Sequence, residues 1–425
     1  MKICLLTNLY PPDRRGGAEA IVATIANYLK NNHQVIIITT ASKKKIVQAG
    51  NLKIYYLFNW NLYHLLNDYK FPWLIRLLWH KIDLFNFIIW HKVKKILISE
   101  KPDLIWTHNL KGLSLGLPRV INKLEFKHLH QLHDLQLIDP AGTLYRTKKG
   151  NIGKLNLGLK IYCYFTKKFT KNIPRVISPS NFTLARHKNL GFFPHAKTLV
   201  LPNPISNTAG YPRVVISSEV EKSLFKKVSN TRDFSIPLRS SQNDKGNTID
   251  SLPFNLFYLG QIEEQKGIIF LIKAFKKMNN PAWQLFIAGR GQQENNIKEL
   301  IKNNPKINFL GFLVKEQLNE LFKKIDLVVL PSLCYENSPT VIYESYQQGT
   351  AVLVSDSGGQ VELVEKNKTG LIFKTGDEND LIEKISYAFN NRQLLNSWSK
   401  ACLEKAKGYG IEKYLEKVFE FITHT

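Results

Sequence analysis

Acidic side chains are scarce in this 425-residue chain, where 34 Asp and Glu face 59 Lys and Arg and leave a formal net charge of +25. That imbalance predicts attraction to polyanions, whether anionic lipid surfaces, phosphorylated substrates or nucleic acid, and charge alone does not choose among them. Cysteine is scarce too. Cys4, Cys163, Cys334 and Cys402 have neither metal-ligand nor redox spacing, so they read as reduced thiols of a cytosolic protein, with Cys334 packing a loop. No uncharged apolar run approaches the ~20 residues of a membrane span, which argues against an integral membrane protein. The opening Met1 to Thr7 is too short for a secretory signal and reads as a first strand. No D-x-D motif occurs, so no metal is expected. What remains is a 44% hydrophobic, 11% aromatic globular composition, enough for two or three domains each with its own core.

The most informative stretch runs from Asp326 to Val354. Its apolar run 326–331 suits a strand buried on both faces of a parallel sheet. After the loop 332–337, Ser338 is the expected N-cap, Pro339 the first helical residue and Gly349 the stop. Such a helix start aims unpaired N–H groups and a positive dipole end beyond the strand, where phosphate binds well. Glu336 in the loop and Glu344, one turn after Thr340, frame this site with hydroxyl-accepting carboxylates. A nucleotide-sugar fits that arrangement, and a pair of ordinary solvated or core-facing glutamates is the alternative.

Along the rest of the chain, strand, Gly-rich turn and helix recur. Residues 8–19 carry Gly16, Gly17 and Glu19 into a helix, where glycine permits close backbone approach to a ligand. Val35–Thr39 and Ile54–Phe58 are further strands. Residues 71–99 read as one helix rich in Trp, Phe and Lys, packing the core with a solvated lysine face; a basic amphipathic helix on a membrane is the competing reading. Strands near 102–109 and 129–134 end in His108 and in His133-Asp134. Residues 144–171 are basic and aromatic, a solvated helix face or an acceptor- or membrane-docking surface. Residues 175–180 give a strand and a serine cap. Between 205 and 252 the pattern breaks into a polar loop or disordered insertion resembling a translated repeat element. Residues 255–260 restart the theme, followed by the turn Gly260 to Gly267, with Gln261 and Lys266, and by 285–291, a strand with a Gly-rich exit that carries Arg290. Gly358, Gly359 and Glu362 form another Gly-rich helix start.

Glu336 to Glu344 resembles the E-x7-E signature of retaining family 4 glycosyltransferases with the GT-B fold. Gly16-Gly17-Ala18-Glu19 is similar to that family's GGAE loop, His133-Asp134 to its HD motif, and His108 to its strand-end histidine. The turn 260–267 resembles G-R-x4-K-G with Gln261 in place of Arg, and 358–362 resembles GG-x-x-E. The resemblance implies an α/β fold of two Rossmann-like doubly wound domains facing a central cleft: 1–204 on the acceptor side, 253–402 binding the nucleotide-sugar, and 403–425 packing back across the junction. It implies a metal-independent hexosyl- or glycosyltransferase in which Lys266 and helix starts hold the diphosphate, Glu344 binds ribose, Glu336 holds sugar hydroxyls and His133 orients the reacting centre. Gly16, Gly17, Gln261, Asn337, Ser338, Pro339 and Thr340 would complete the donor site, with Glu19, His108, Asp134 and Arg290 as secondary candidates. Gln can donate a hydrogen bond but neutralises no charge. The expected partners are a nucleotide-diphosphate sugar, a glycan or lipid-linked acceptor and the anionic inner face of the cytoplasmic membrane, and not nucleic acid. A catalytically inactive GT-B descendant that binds nucleotide-sugar or an assembly partner is the alternative.

Overall fold

Among the described residues fourteen strands sort into two sheets, and apart from the exposed edge strand their apolar runs are largely buried. The computed structural model describes residues 1–13, 16–142, 155–205, 253–278 and 280–423. The first sheet has the order β3-β4-β2-β1-β5-β6-β7-β8. Its strands are β1 Lys2–Leu6, β2 Gln34–Ala41, β3 Lys45–Ala49, β4 Leu52–Phe58, β5 Leu104–Thr107, β6 His128–Gln131, β7 Arg175–Ser178 and β8 Lys197–Val200. All pairings are parallel except the β3–β4 hairpin at one edge. The periodicity reading omits β3, because it is mostly exposed and carries no continuous apolar run.

The second sheet is wholly parallel, in the order β11-β10-β9-β12-β13-β14. Its strands are β9 Phe254–Leu259, β10 Trp283–Ala288, β11 Ile307–Gly311, β12 Leu327–Leu330, β13 Ala351–Ser355 and β14 Gly370–Phe373. The two doubly wound sheets are the expected α/β architecture. Their C-terminal strand ends face each other, so that loops from both meet where such sheets bind ligands.

The helices of the first half are α1 Gly17–Leu29, α2 Trp73–Leu84, α3 Phe87–Glu100, α4 Leu117–Asn122, α5 Leu157–Thr170 and α6 Asn181–Asn189. The single helix expected over 71–99 is therefore two, broken at Phe85 and Asn86, where the Asn86 side chain caps α3 by accepting the Ile89 N–H. The core-packing expectation for α2 holds only in part. Trp79, Asp83 and Leu84 are its buried residues, while Trp73, Leu74, Leu77 and Leu78 are exposed. Most of the 205–252 insertion, with Lys148 and Lys149 of the basic aromatic stretch, lies outside the described residues.

The final helix, Ile411–Thr423, crosses back to the first half. Ile411, Tyr414, Leu415, Val418 and Ile422 recur at helical spacing and pack with β1 and α1 residues in one core. Burial of each such side chain is worth about 1.5–3 kcal/mol. Arg175 donates to the Phe421 carbonyl at 3.2 Å, and the Ile205 N–H to that of Tyr409 at 2.9 Å.

Candidate active site

The loop after β12 carries the central carboxylate. Glu336 lies 2.6 Å from the Lys266 ammonium and accepts a 2.6 Å hydrogen bond from Ser332. Burial alone would lower Lys266, but the Glu336 charge beside it holds the ammonium above the usual lysine range. Burial would likewise raise Glu336; the Lys266 charge and the hydrogen bonds from Lys266 and Ser332 keep it below the usual carboxylate range. Both groups are thus charged at neutral pH. Lys266 comes into place because Gly267 takes φ +75° and lies so close to Pro331 that a Cβ there would sit 1.9 Å from the Pro331 carbonyl oxygen. The Gln265 carbonyl then accepts the Leu333 N–H, which ties the turn to the loop.

Gly358 and Gly359 perform a similar task on the other side. A Cβ on Gly358 would meet the Glu336 carbonyl oxygen at 2.1 Å, and Gly359 donates its N–H to that oxygen at 2.7 Å. The helix Thr340–Gln347 begins one residue later than expected. Pro339, in an extended conformation, is its N-cap, and the Ser338 hydroxyl instead bonds the Tyr343 hydroxyl at 2.6 Å. Gly349 follows the helix with φ +65°, as a helix stop requires. Glu344 is half-buried on this helix and acts electrostatically on Lys315.

The first half contributes a pair of imidazoles. His108 Nδ1 and His133 Nε2 are 2.9 Å apart, at the ends of β5 and β6. Burial pushes His133 down to about 3 and, with the neighbouring His133 and His130, holds His108 well below the usual histidine range. Both are therefore neutral and share one N–H···N bond. The outer nitrogens, His108 Nε2 and His133 Nδ1, are buried with no hydrogen-bond partner among the described residues. Asp134 turns away from its neighbour: its carboxylate accepts from the Gln136 N–H at 2.8 Å and the Asn109 amide at 2.9 Å, bracing the loop.

Contacts between the halves bring these groups together. Asn337 donates to the His133 carbonyl at 2.5 Å and accepts from Ser180 at 2.8 Å and from Thr183. Gly17 packs on Thr340, whose methyl would lie 2.7 Å from a Cβ at that position. Glu19 is buried and accepts the Gly16 N–H at 2.9 Å, so it caps α1. Glu362 accepts the Asn181 and Phe182 N–H groups at 2.8 Å each, satisfying the first turn of α6 from across the cleft. Gln261 is exposed at its turn, and Arg290 lies over the Phe312 ring at 5.1 Å.

Sequence reasoning did not select Ser180, Thr183, Asn109 or Ser332 for the site. Ser180 carried a signal in its strand-to-serine pattern, and Glu362 in its Gly-rich helix start. Asn109 and Ser332 carried none, since only the fold makes them neighbours of Asp134 and Glu336.

Comparisons with known proteins bear on the family and the fold. The family model described as Glycosyl transferases group 1 matches residues 240–404, and that described as Glycosyltransferase Family 4 matches residues 15–208. An uncharacterised 42.6 kDa protein in the cps region of Klebsiella pneumoniae is 25% identical over 366 residues, covering 85% of this chain and 87% of that protein. The sucrose-phosphate synthase of Thermosynechococcus elongatus superposes with a TM-score of 0.72 at 18% identity, over 99% of this chain and 97% of that one. Anabaena HepE in complex with UDP-glucose superposes with a TM-score of 0.66 at 17% identity, over the full length of both chains. At such identities the structural likeness speaks for the fold alone.

Proposed function

The chain belongs to the family 4-type glycosyltransferases with the GT-B fold, and on that premise we propose that it moves a sugar from a nucleotide-diphosphate donor to a glycan or lipid-linked acceptor in cell-surface polysaccharide or glycolipid synthesis. The observation that carries the reading is the Lys266–Glu336 pair, held 2.6 Å apart in the cleft and linked through Asn337 to the His133 loop of the other half. UDP-glucose in the Anabaena neighbour and the cps-region setting of the Klebsiella relative support the donor class and the pathway type.

In this reading the donor diphosphate takes Lys266 from Glu336, which frees the Glu336 carboxylate for sugar hydroxyls. Glu344 accepts from the nucleotide ribose. The bond between the sugar and the diphosphate breaks, a bond to the acceptor hydroxyl forms on the same face, and the hydroxyl proton leaves on the departing diphosphate. Charge grows on that leaving group, so Lys266 and the start of the helix Thr340–Gln347 supply most of the stabilisation. The neutral His133 orients the reacting centre by hydrogen bonding. Turnover proceeds with retention and without metal, at the inner face of the cytoplasmic membrane.

A screen of melting temperature against UDP, GDP, ADP and their sugar conjugates tests the reading, because a ligand bound only by the folded state raises that temperature. Stabilisation by one nucleotide that is lost in Glu344→Ala is expected, with sugar release persisting in EDTA. Exposed, uncharged Gln261 favours a second reading, an inactive descendant; donor binding without any turnover would select it.

A further inference from the structure

We propose that α2, α3 and α5 together form a docking face for an anionic phospholipid bilayer. The choice of a lipid surface rests on the membrane-side reading above, whereas the face itself rests on side-chain placement. In α2 apolar side chains lie on the outward face as well as the inward one. Its inward face holds Asp83, which accepts the Gly112 N–H at 3.0 Å, and Trp79, whose indole N–H donates to the Tyr63 carbonyl. Its outward face holds Trp73, 70% exposed, and Leu74, 61% exposed, with Leu77 and Leu78 beside them.

The patch continues across the neighbouring helices. Phe85, at the end of α2, meets the rings of Phe165 and Phe169 on α5 at 5.1 and 5.6 Å, while Phe87 and Ile88 at the start of α3 stay exposed. Leu157, Ile161 and Tyr164 of α5 follow i, i+4, i+7 spacing, and all three are more than half exposed.

Charge selects the occupant. Lys92, Lys94 and Lys95 lie on α3, and Lys160, Lys167 and Lys168 on α5. The carboxylates of the three helices are withdrawn from the face: Asp83 is buried, and Glu100 is bound by Lys53 at 2.6 Å and by Tyr55. Indole and aliphatic groups ringed by lysines, with no outward carboxylate, suit the headgroup layer of an acidic bilayer, where apolar tips enter and ammonium groups meet phosphates.

The face is also tied to the candidate site. Asp83 holds the loop after β5, which begins at His108. Tyr162 and Thr166 of α5 donate to the Gln136 and Leu137 carbonyls of the loop after β6, which contains His133. A bilayer against these helices therefore lies beside the two loops that carry the histidine pair, where a lipid-linked acceptor would enter.

The test is flotation of the full chain with vesicles of phosphatidylcholine alone or with one-third phosphatidylglycerol, without any nucleotide-sugar, at about 0.1 M salt. The chain should float with the anionic vesicles only. Trp73→Ser combined with Leu77→Ser, or separately Leu157→Ser with Ile161→Ser, should each weaken partitioning about tenfold while the melting temperature is kept; these positions are exposed, and two separate patches guard against one variant misfolding. Sugar transfer to a soluble acceptor should be unchanged. Wild type that stays unbound overturns the proposal, as does flotation insensitive to both pairs, which would mean attraction by bulk charge. A wild-type dimer in light scattering that either pair dissolves would assign the face to a second copy and overturn it too. Absent sugar transfer would bear on the proposed function and leave this result standing.

Discussion

The two halves of the molecule divide their polar chemistry unequally. Ten of the eleven histidines lie within the first 195 residues, and residues 253–423 contain none. In the first half His108, His128, His130, His133 and His187 are all pushed down by burial, His128 and His133 to about 3 and His187 to about 4. Such groups are neutral, and they hold their surroundings through hydrogen bonds such as those that link the Thr107 hydroxyl with His128 and His130. The second half instead brings a compensated ion pair to the cleft. One side supplies geometry, and the other supplies charge that the proposed function releases to a ligand.

Acid should separate the halves most strongly. For each buried histidine the folded pKa lies below the ordinary value near 6.5, so the unfolded chain takes up the proton first and stability falls as pH drops from about 6.5 toward 3. Each group contributes about 1.4 kcal/mol per pH unit across that window. Asp83, pushed up to about 7 by burial, acts in the opposite direction, as do Asp134 and Asp139, which burial also raises, against five imidazoles. Glu336 has its pKa lowered, so its contribution persists until pH falls below about 4.5. Between pH 6.5 and 4.5 the first half should therefore lose stability while the second is unaffected. Urea unfolding followed by hydrogen exchange, peptide by peptide, reads each half separately. Equal losses in both would break the division.

Next in size is Lys266→Ala. Removing the one cation paired with Glu336 should lower turnover by about 10² to 10³, whereas His133→Ala, which removes a neutral group, should cost less. The reverse order, in steady-state kinetics with saturating donor, would place the decisive chemistry in the first half.

Much of this architecture was legible in the sequence, and the omissions have physical causes. The β12 run, the Glu336 and Glu344 spacing and the stop at Gly349 are local patterns, and local patterns survive folding. The ion pair is not local: Lys266 and Glu336 are 70 residues apart, and Asn337 reaches the His133 carbonyl across 204. Each was legible as a candidate, but their mutual neutralisation was not. The Ser338 hydroxyl fits a cap by residue type, yet Pro339 takes the N-cap position and the hydroxyl bonds Tyr343 instead, a partner that helix-capping preference does not consider. In α2 the periodicity was sound, but its direction was invisible, because nothing in a sequence says that Asp83 has a buried backbone N–H to satisfy while Trp73 does not.

The charge contrast can be sharpened at Gln261. Gln261→Arg adds a second cation at the exposed turn near Lys266, on the side where the diphosphate is proposed to sit. A charge-assisted contact of about 1.4 kcal/mol corresponds to roughly tenfold tighter nucleotide binding by calorimetry. No change would mean that the turn lies away from the diphosphate, and with it Lys266 would lose its proposed role.

The smallest effect tests the seam between the halves. Ser180 accepts the Thr183 N–H within its own half, but the Asn181 and Phe182 N–H groups are satisfied by Glu362 of the other. If the cleft opens, water replaces that carboxylate at little cost to α6, so the contact favours closure over openness and adds little to the fold of the first half. Glu362→Ala should thus shift the balance toward open by about 1 kcal/mol, the usual worth of a helix cap, or roughly fivefold. The expected signs are a larger radius of gyration in X-ray scattering and a several-fold higher KM for donor with melting unchanged. A lower melting temperature with unaltered scattering would instead make Glu362 a support of α6, and the two halves would then meet as one rigid body.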